Sequence, residues 1–241
     1  MKTITFIAIT LLSGAIAGAI LGVVNQGIVE PSISRAIDIE NQNAIAAGEL
    51  FNPNEYDAYR IWQRGGEIAA GTVLGLSIGA LFGIIFAYSR ESLPGSSNKK
   101  KALMLAGVMW LVLFMIPALK YPANPPAVGD PETISYRQVI YLEFLAISGL
   151  SALGLAFVYR KLGTVRAKRV IILAVYAAIM AVAFVAMPLN PDEIAAPMDL
   201  VVSFRIATAF TMSMFWGLLG IILGAFWDWL KPHETATVRA M

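Results

Sequence analysis

Six stretches of the chain are apolar almost without interruption, and polar clusters separate them. They run from Ile4 to Val24, Ile68 to Tyr88, Ala102 to Leu119, Val139 to Tyr159, Val170 to Met187 and Leu200 to Leu230. A bilayer core about 30 Å thick takes roughly 20 residues of helix, so each run reaches or approaches a spanning length. The pattern predicts an all-α polytopic membrane protein of six transmembrane helices, folded as a single integral membrane domain over residues 1–241. The first run also carries marks of a secretion signal, with Lys2 ahead of it and the small residues "AIAGA" within it. Its apolar character continues through "ILGVV", which favours a span.

Composition agrees, since 58% of the residues are hydrophobic and only 14% are charged, too few to cover a soluble core. Cysteine is absent, which removes disulfides and thiolate metal sites together.

Charge sets an expected orientation. Lys2, Arg90, Lys99, Lys100, Lys101, Arg160, Lys161, Arg166, Lys168, Arg169, Lys231 and Arg239 fall on one side of a six-span arrangement. The other side holds Arg35, Arg60, Arg64, Lys120 and Arg137, together with most of the acidic residues. Basic loops stay inside, so both termini are expected to be cytoplasmic and the outer face acidic. On this reading residues of about 31–65 form an outer loop with room for one or two short helices. Residues of about 89–101 and 160–169 are cytoplasmic linkers.

The even-numbered runs end alike, in "FGIIFAYSR", "LGLAFVYRK" and "LGAFWDWLK". Phe86, Phe157 and Phe226 recur at intervals near 70 residues, as do Pro117 and Pro188. Three helical-hairpin repeats are one reading of this period. The other is that each inward-running helix needs an aromatic belt and a basic stop.

Glycine gives the sharpest local pattern. Gly14, Gly18 and Gly22 recur every four residues, with Gln26 in the next place; Glu67 is followed at the same interval by Gly71, Gly75, Gly79 and Gly83. Rows of small residues let helix backbones approach closely in lipid. Antiparallel alignment sets Gln26 beside Glu67, Gly22 beside Gly71 and Gly18 beside Gly75. A four-residue row drifts about 40° per step on a straight helix, so two or three such pairs are expected to touch.

Charges within the runs are the functional candidates. Counting back from the cytoplasmic ends places Glu67 at the outer edge, Arg205 somewhat beyond it, and Glu143 about one turn inside the outer leaflet. A carboxylate at that depth needs pairing, protonation or water, which marks it as functional by default. A structural tie to Arg205 or Arg137 is the competing account of Glu143. Ahead of it, "GDPETISYRQ" reads as a helix start, with Asp130 as cap, Pro131 in first position and Glu132 in the first turn. The preceding prolines make a stiff outer loop. A stiff mouth leading to a carboxylate that faces the side of Ala146, Leu150 and Gly154 suits a cation path.

No nucleotide-binding loop, zinc-type cluster or catalytic triad is present, so neither an enzyme nor a nucleic-acid binder is expected. The sole histidine, His233, lies in the tail "KPHETATVRAM", where solvation is the expectation.

The small-residue helix "LLSGAIAGAILG" leading to "VVNQGIVEP", the proline-rich "LKYPANPPAVGD" and the following "YRQVIYLEF" together resemble the CbtA family of predicted cobalt transporter subunits. The resemblance implies cobalt(II) uptake across a cell membrane, prokaryotic in kind. It also implies a small single-helix CbtB partner whose histidines supply metal ligands. Cobalt(II) favours imidazole and carboxylate, and the runs offer only carboxylates, so no tightly bound metal is expected in this chain alone. The expected ion pathway is Glu143 and Glu67 with Gln26, and Arg205 and Arg137 act as counter-charges. With no ATP-binding motif, the drive would be the membrane potential, worth about 2.3 kcal/mol per charge per 100 mV. A non-transporting assembly subunit and a carrier for another solute are the alternatives, and an oligomer fits any of them.

Overall fold

The computed structural model describes residues 2–48, 52–126, 128–163 and 167–233, and the regular elements among them are all helical. In chain order they are α1 (Thr3–Ile28), α2 (Glu30–Ala46), α3 (Pro53–Ser89), α4 (Asn98–Trp110), a π-helical segment (Leu111–Met115), α5 (Ile116–Lys120), a 3₁₀ turn (Pro131–Thr133), α6 (Ile134–Lys161), α7 (Lys168–Ala186) and α8 (Met198–Leu230). Six helices are long and apolar enough to cross a membrane, the stretch Asn98–Lys120 counting as one. They contain the six runs of the sequence except for Met187, the last residue of the fifth, which lies just past its helix.

Local chemistry explains the breaks. Asn52 caps α3 by accepting the Asn54 N–H, and Pro53 follows at the first position. Asp130 accepts the Glu132 N–H ahead of the 3₁₀ turn, as the sequence predicts. Pro31 cannot donate to a carbonyl of α1, so the chain breaks for one residue at Val29 and restarts as α2. The described residues between 31 and 65 lie mostly in α2 and the first turns of α3. The pair Gly65–Gly66 does not interrupt α3, which runs unbroken for 37 residues.

The chain forms two compact units, one of Met1–Met109 with Ile206–Met241 and the other of Trp110–Arg205. In the first, α1 and α3 meet backbone to backbone. A methyl group on Gly14 would strike the Gly75 carbonyl, and one on Gly18 the Gly71 carbonyl. From Gly22 it would lie 2.7 Å from the Ile68 Cα, and from Gly79 2.7 Å from the Gly14 Cα. At Gly83 it would meet the Thr10 side chain. Each glycine therefore nests between two of the facing row rather than opposite one.

Two details of the expected register are corrected. The contact is not limited to two or three pairs but runs the whole length of both rows, from Thr10 to Gln26. Gln26 is not paired with Glu67; its amide donates to the Arg64 carbonyl at 2.8 Å, one turn earlier.

A second small-residue contact is not among those expected from the sequence. Gly220 and Gly224 of α8 lie against α4, and methyl groups there would sit 2.8 Å from the Ala106 Cβ and 2.5 Å from the Lys99 Cα. The spacing of Ala102 and Ala106 on α4 is the signal that points to it. Asp228 closes this contact by accepting the Asn98 and Lys99 N–H groups, capping α4 from a neighbouring helix. Trp227 packs edge-on to Phe6 and Phe86 below it.

In the second unit Phe144, Met180 and Ala183 form the core with Ile116, Tyr121, Ile147, Tyr176 and Met187 around them. The three phenylalanines of the sequence period differ in setting: Phe86 is enclosed, Phe157 is exposed and Phe226 lies between.

Substituting Gly18→Ala is expected to destabilise the protein by about 1–3 kcal/mol, since the new methyl group meets rigid backbone. Gly217→Ala, with nothing within 4 Å, is the control and should leave the melting temperature unchanged or raised. Thermal unfolding in detergent followed by circular dichroism checks both. Equal melting of the two variants would show that the glycine rows do not hold α1 to α3.

Candidate functional site

Two polar constellations stand out, one in each unit. The first lies where α1 passes into α2 and faces the early turns of α3. Glu30 is buried, and one of its carboxylate oxygens accepts from both Arg60 and Arg64. Arg60 is itself buried, donating also to Ser34 at 3.2 Å and to Gln63 at 2.6 Å. Arg64 is half exposed, and its Nε–H reaches Glu30 at 2.9 Å. Their four-residue spacing puts both arginines on one face of α3, and Pro31 turns α2 so that Glu30 meets that face. None of the three belongs to the candidate set expected from sequence, because each is unremarkable as a loop charge. A cleft of about 250 Å³ is lined by Gln26, Glu30, Pro31, Ser34 and Arg64.

Glu67 lies one turn further along α3. It is half-buried, it takes a hydrogen bond from Asn25, and its charged neighbours are Glu30 and Arg60. Glu67 thus faces α1 and not the open surface of its helix. The four charges Glu30, Glu67, Arg60 and Arg64 balance.

The second constellation holds the proline-rich segment after α5. Lys120 donates to the Phe184 and Met187 carbonyls at the end of α7, at 2.7 and 3.0 Å, with its ammonium over the Phe184 ring. Tyr121 donates its hydroxyl to the Pro188 carbonyl at 2.6 Å. Arg205 donates to the Ala123 carbonyl at 3.2 Å and to the Asn124 side chain at 2.7 Å. Arg137 reaches the Val128 and Asp130 carbonyls and pairs with Asp192 at 2.9 Å, where Thr133 also donates. Gly129 takes φ +95° in the crook of this pair, and a side chain there would strike Asp192.

These contacts overturn the competing account in which Arg205 or Arg137 ties down Glu143. Arg205 and Arg137 bond the loop and Asp192, and neither is paired with Glu143. Carbonyls freed by the prolines are the better-placed acceptors, because the loop has no ladder of its own to satisfy them. Glu143 stands apart on α6. It is exposed, as are Ala146, Leu150 and Gly154 on the same face, while Phe144 beside it turns into the core. Among the described residues no hydrogen bond or ion pair reaches its carboxylate. Its nearest influence is on Tyr121, whose phenol burial pushes up, with Tyr136 and Glu143 adding to the rise.

His233 is not solvated as expected. It is half-buried and stacks on Trp227 at 6.5 Å, drawn there by the Lys2 N–H bond to the Pro232 carbonyl. Among the described residues no group of three histidine, cysteine, aspartate or glutamate side chains could hold a metal ion.

Six apolar helices, charges held largely at their ends and no metal cluster among the described residues define a multi-pass membrane protein of the cell membrane. The family model described as probable cobalt transporter subunit (CbtA) matches residues 3–228, and the chain belongs to that family. It is accordingly a transport subunit and not an enzyme. No curated protein and no solved structure matches it.

Replacing Glu30→Gln is expected to cost about 3–5 kcal/mol, because it strands the buried Arg60 guanidinium without its partner. The double variant Glu30→Gln with Arg60→Met should recover part of that loss. Unfolding in detergent checks the pair, and an unchanged single variant would mean that the ion pair contributes nothing to α2–α3 packing.

Proposed function

We propose that the chain is the membrane-embedded subunit of a cobalt(II) uptake transporter, oriented with both termini in the cytoplasm, and that Glu143 and Glu67 with Gln26 line its ion path. Support for the ion comes from the family. The observation that carries the path is Glu143: a carboxylate within a spanning helix, exposed and without a partner among the described residues. Such a group costs up to a few kcal/mol in the bilayer unless something outside the chain serves it. A cation in transit, water, or a second subunit would do so.

A partner helix bearing imidazole is the occupant that best fits a cobalt(II) path, since this chain contributes carboxylate and carbonyl oxygens and no membrane histidine. A CbtB-like single-helix subunit is of that kind. Arg205 and Arg137 hold the proline-rich loop in shape and, being cationic, also limit the negative potential around it. The ion binds weakly and in passing, and selectivity is completed by the partner. Entry is driven by the membrane potential. A non-transporting assembly subunit is the second reading, and the length of helix given over to glycine packing favours it.

Cobalt-57 accumulation in cells expressing the chain, with and without a single-helix histidine-bearing partner, tests the proposal. Glu143→Gln should lower uptake about tenfold or more, the factor that ~1.4 kcal/mol at the ion's barrier represents, while protein level in the membrane stays normal. Uptake indifferent to Glu143 removes it from the path. No uptake with any pairing, despite normal insertion, favours the assembly role or another solute.

A further inference from the structure

Leu111–Met115 is the only π-helical segment among the described residues, and it lies inside a helix that otherwise continues from Asn98 to Lys120. Its hydrogen bonding is displaced by one residue, with the Ile116 N–H reaching the Leu111 carbonyl. Pro117 comes next and has no N–H to offer the Val112 carbonyl five residues earlier. That carbonyl is served from another helix: the Ser148 hydroxyl of α6 donates to it at 2.6 Å. Ser148 is wholly buried, and its oxygen also lies 2.8 Å from the Tyr176 hydroxyl of α7. Gly149 lets α6 come close, a methyl group there falling 3.2 Å from Leu113.

Such one-turn insertions are rare and often sit at working parts of a protein, because a bulge can pass into ordinary helix by a shift of one residue. One residue of an α-helix is about 100° of rotation and 1.5 Å of rise. The part downstream of the bulge is short, ending at Lys120 and Tyr121, the residues that grip the end of α7. Turning α5 would withdraw both grips together and pull on the first residues of the proline-rich loop, which Arg205 otherwise holds at Ala123 and Asn124.

We propose that the π segment is a register hinge latched by Ser148. With the hydroxyl on the Val112 carbonyl, the bulge is held and Lys120 and Tyr121 keep their grips on the end of α7; when that bond opens, α5 turns, both grips are withdrawn and the adjoining residues to Asn124 are pulled away from Arg205. Pro117 makes the latch necessary, since with an N–H at that position the helix would satisfy its own carbonyls. The hinge stands independently of which solute the protein carries.

The chain has no cysteine, so Ala123→Cys gives a single reporter on the loop. The rate of maleimide labelling of the purified full chain in detergent reads loop opening, with no reference to transport. Ser148→Ala should raise that rate about fivefold or more, the factor that one hydrogen bond of ordinary strength represents. In a Pro117→Ala background the same substitution should change it less than about twofold, because the new N–H replaces the latch. An unchanged rate in Ser148→Ala overturns the proposal, as does an equal effect in both backgrounds. Should Ser148→Ala fail to fold, recovery of folded protein by adding Pro117→Ala supports the latch, and failure to recover overturns it.

Discussion

Every backbone N–H and C=O that enters a bilayer must find its partner within the protein, and the rest of this structure follows from that demand. Helices meet it along most of the chain. Where proline breaks the ladder in the second unit, side chains step in. Ser148 serves the Val112 carbonyl, Lys120 the last carbonyls of α7, Tyr121 the Pro188 carbonyl, and Arg205 and Arg137 the carbonyls of the proline-rich loop. Most cations near this end of the second unit are thus bound to backbone oxygen rather than to a carboxylate. A charge in this loop is first a hydrogen-bond donor and only then a carrier of potential.

The same solvent explains how the helices hold together. Lipid is as apolar as leucine, so hydrophobic area gives no preference for helix over lipid, and close van der Waals contact must do the work. Glycine rows on α1 and α3, and again on α8 against Ala102 and Ala106 of α4, allow backbone to touch backbone. At the end of the first contact, where glycine gives way to polar residues, Gln26, Asn25 and the Glu30–Arg60–Arg64 cluster take over. Packing and polar satisfaction are two halves of one seam.

Glu143 breaks this pattern. Glu30 is balanced by two arginines, Asp192 by Arg137, and Asp228 by the N-terminal amides of α4. Glu143 instead faces outward from a spanning helix, with neither donor nor cation against it among the described residues. The proposed function gives that position a chemical sense, since a carboxylate left without an internal partner would be open to an ion in transit or another subunit.

By itself the sequence determined the class of protein, the six spans, the helix start at Asp130 and Pro131, and the faces on which α1 and α3 meet. These depend on run length, turn chemistry and a four-residue period, all of which act within a few residues of chain. It also carried the candidate carboxylates, because a charge in an apolar run is visible without a fold. Only the tertiary structure decided who partners whom. Gln26 went to the Arg64 carbonyl instead of Glu67, Arg205 and Arg137 went to the loop instead of Glu143, and Ser148 bonded the open carbonyl of a bulge 36 residues away. Those choices depend on which carbonyls proline leaves bare and which side chain a neighbouring helix brings within reach, and distance through space is not written in spacing along the chain.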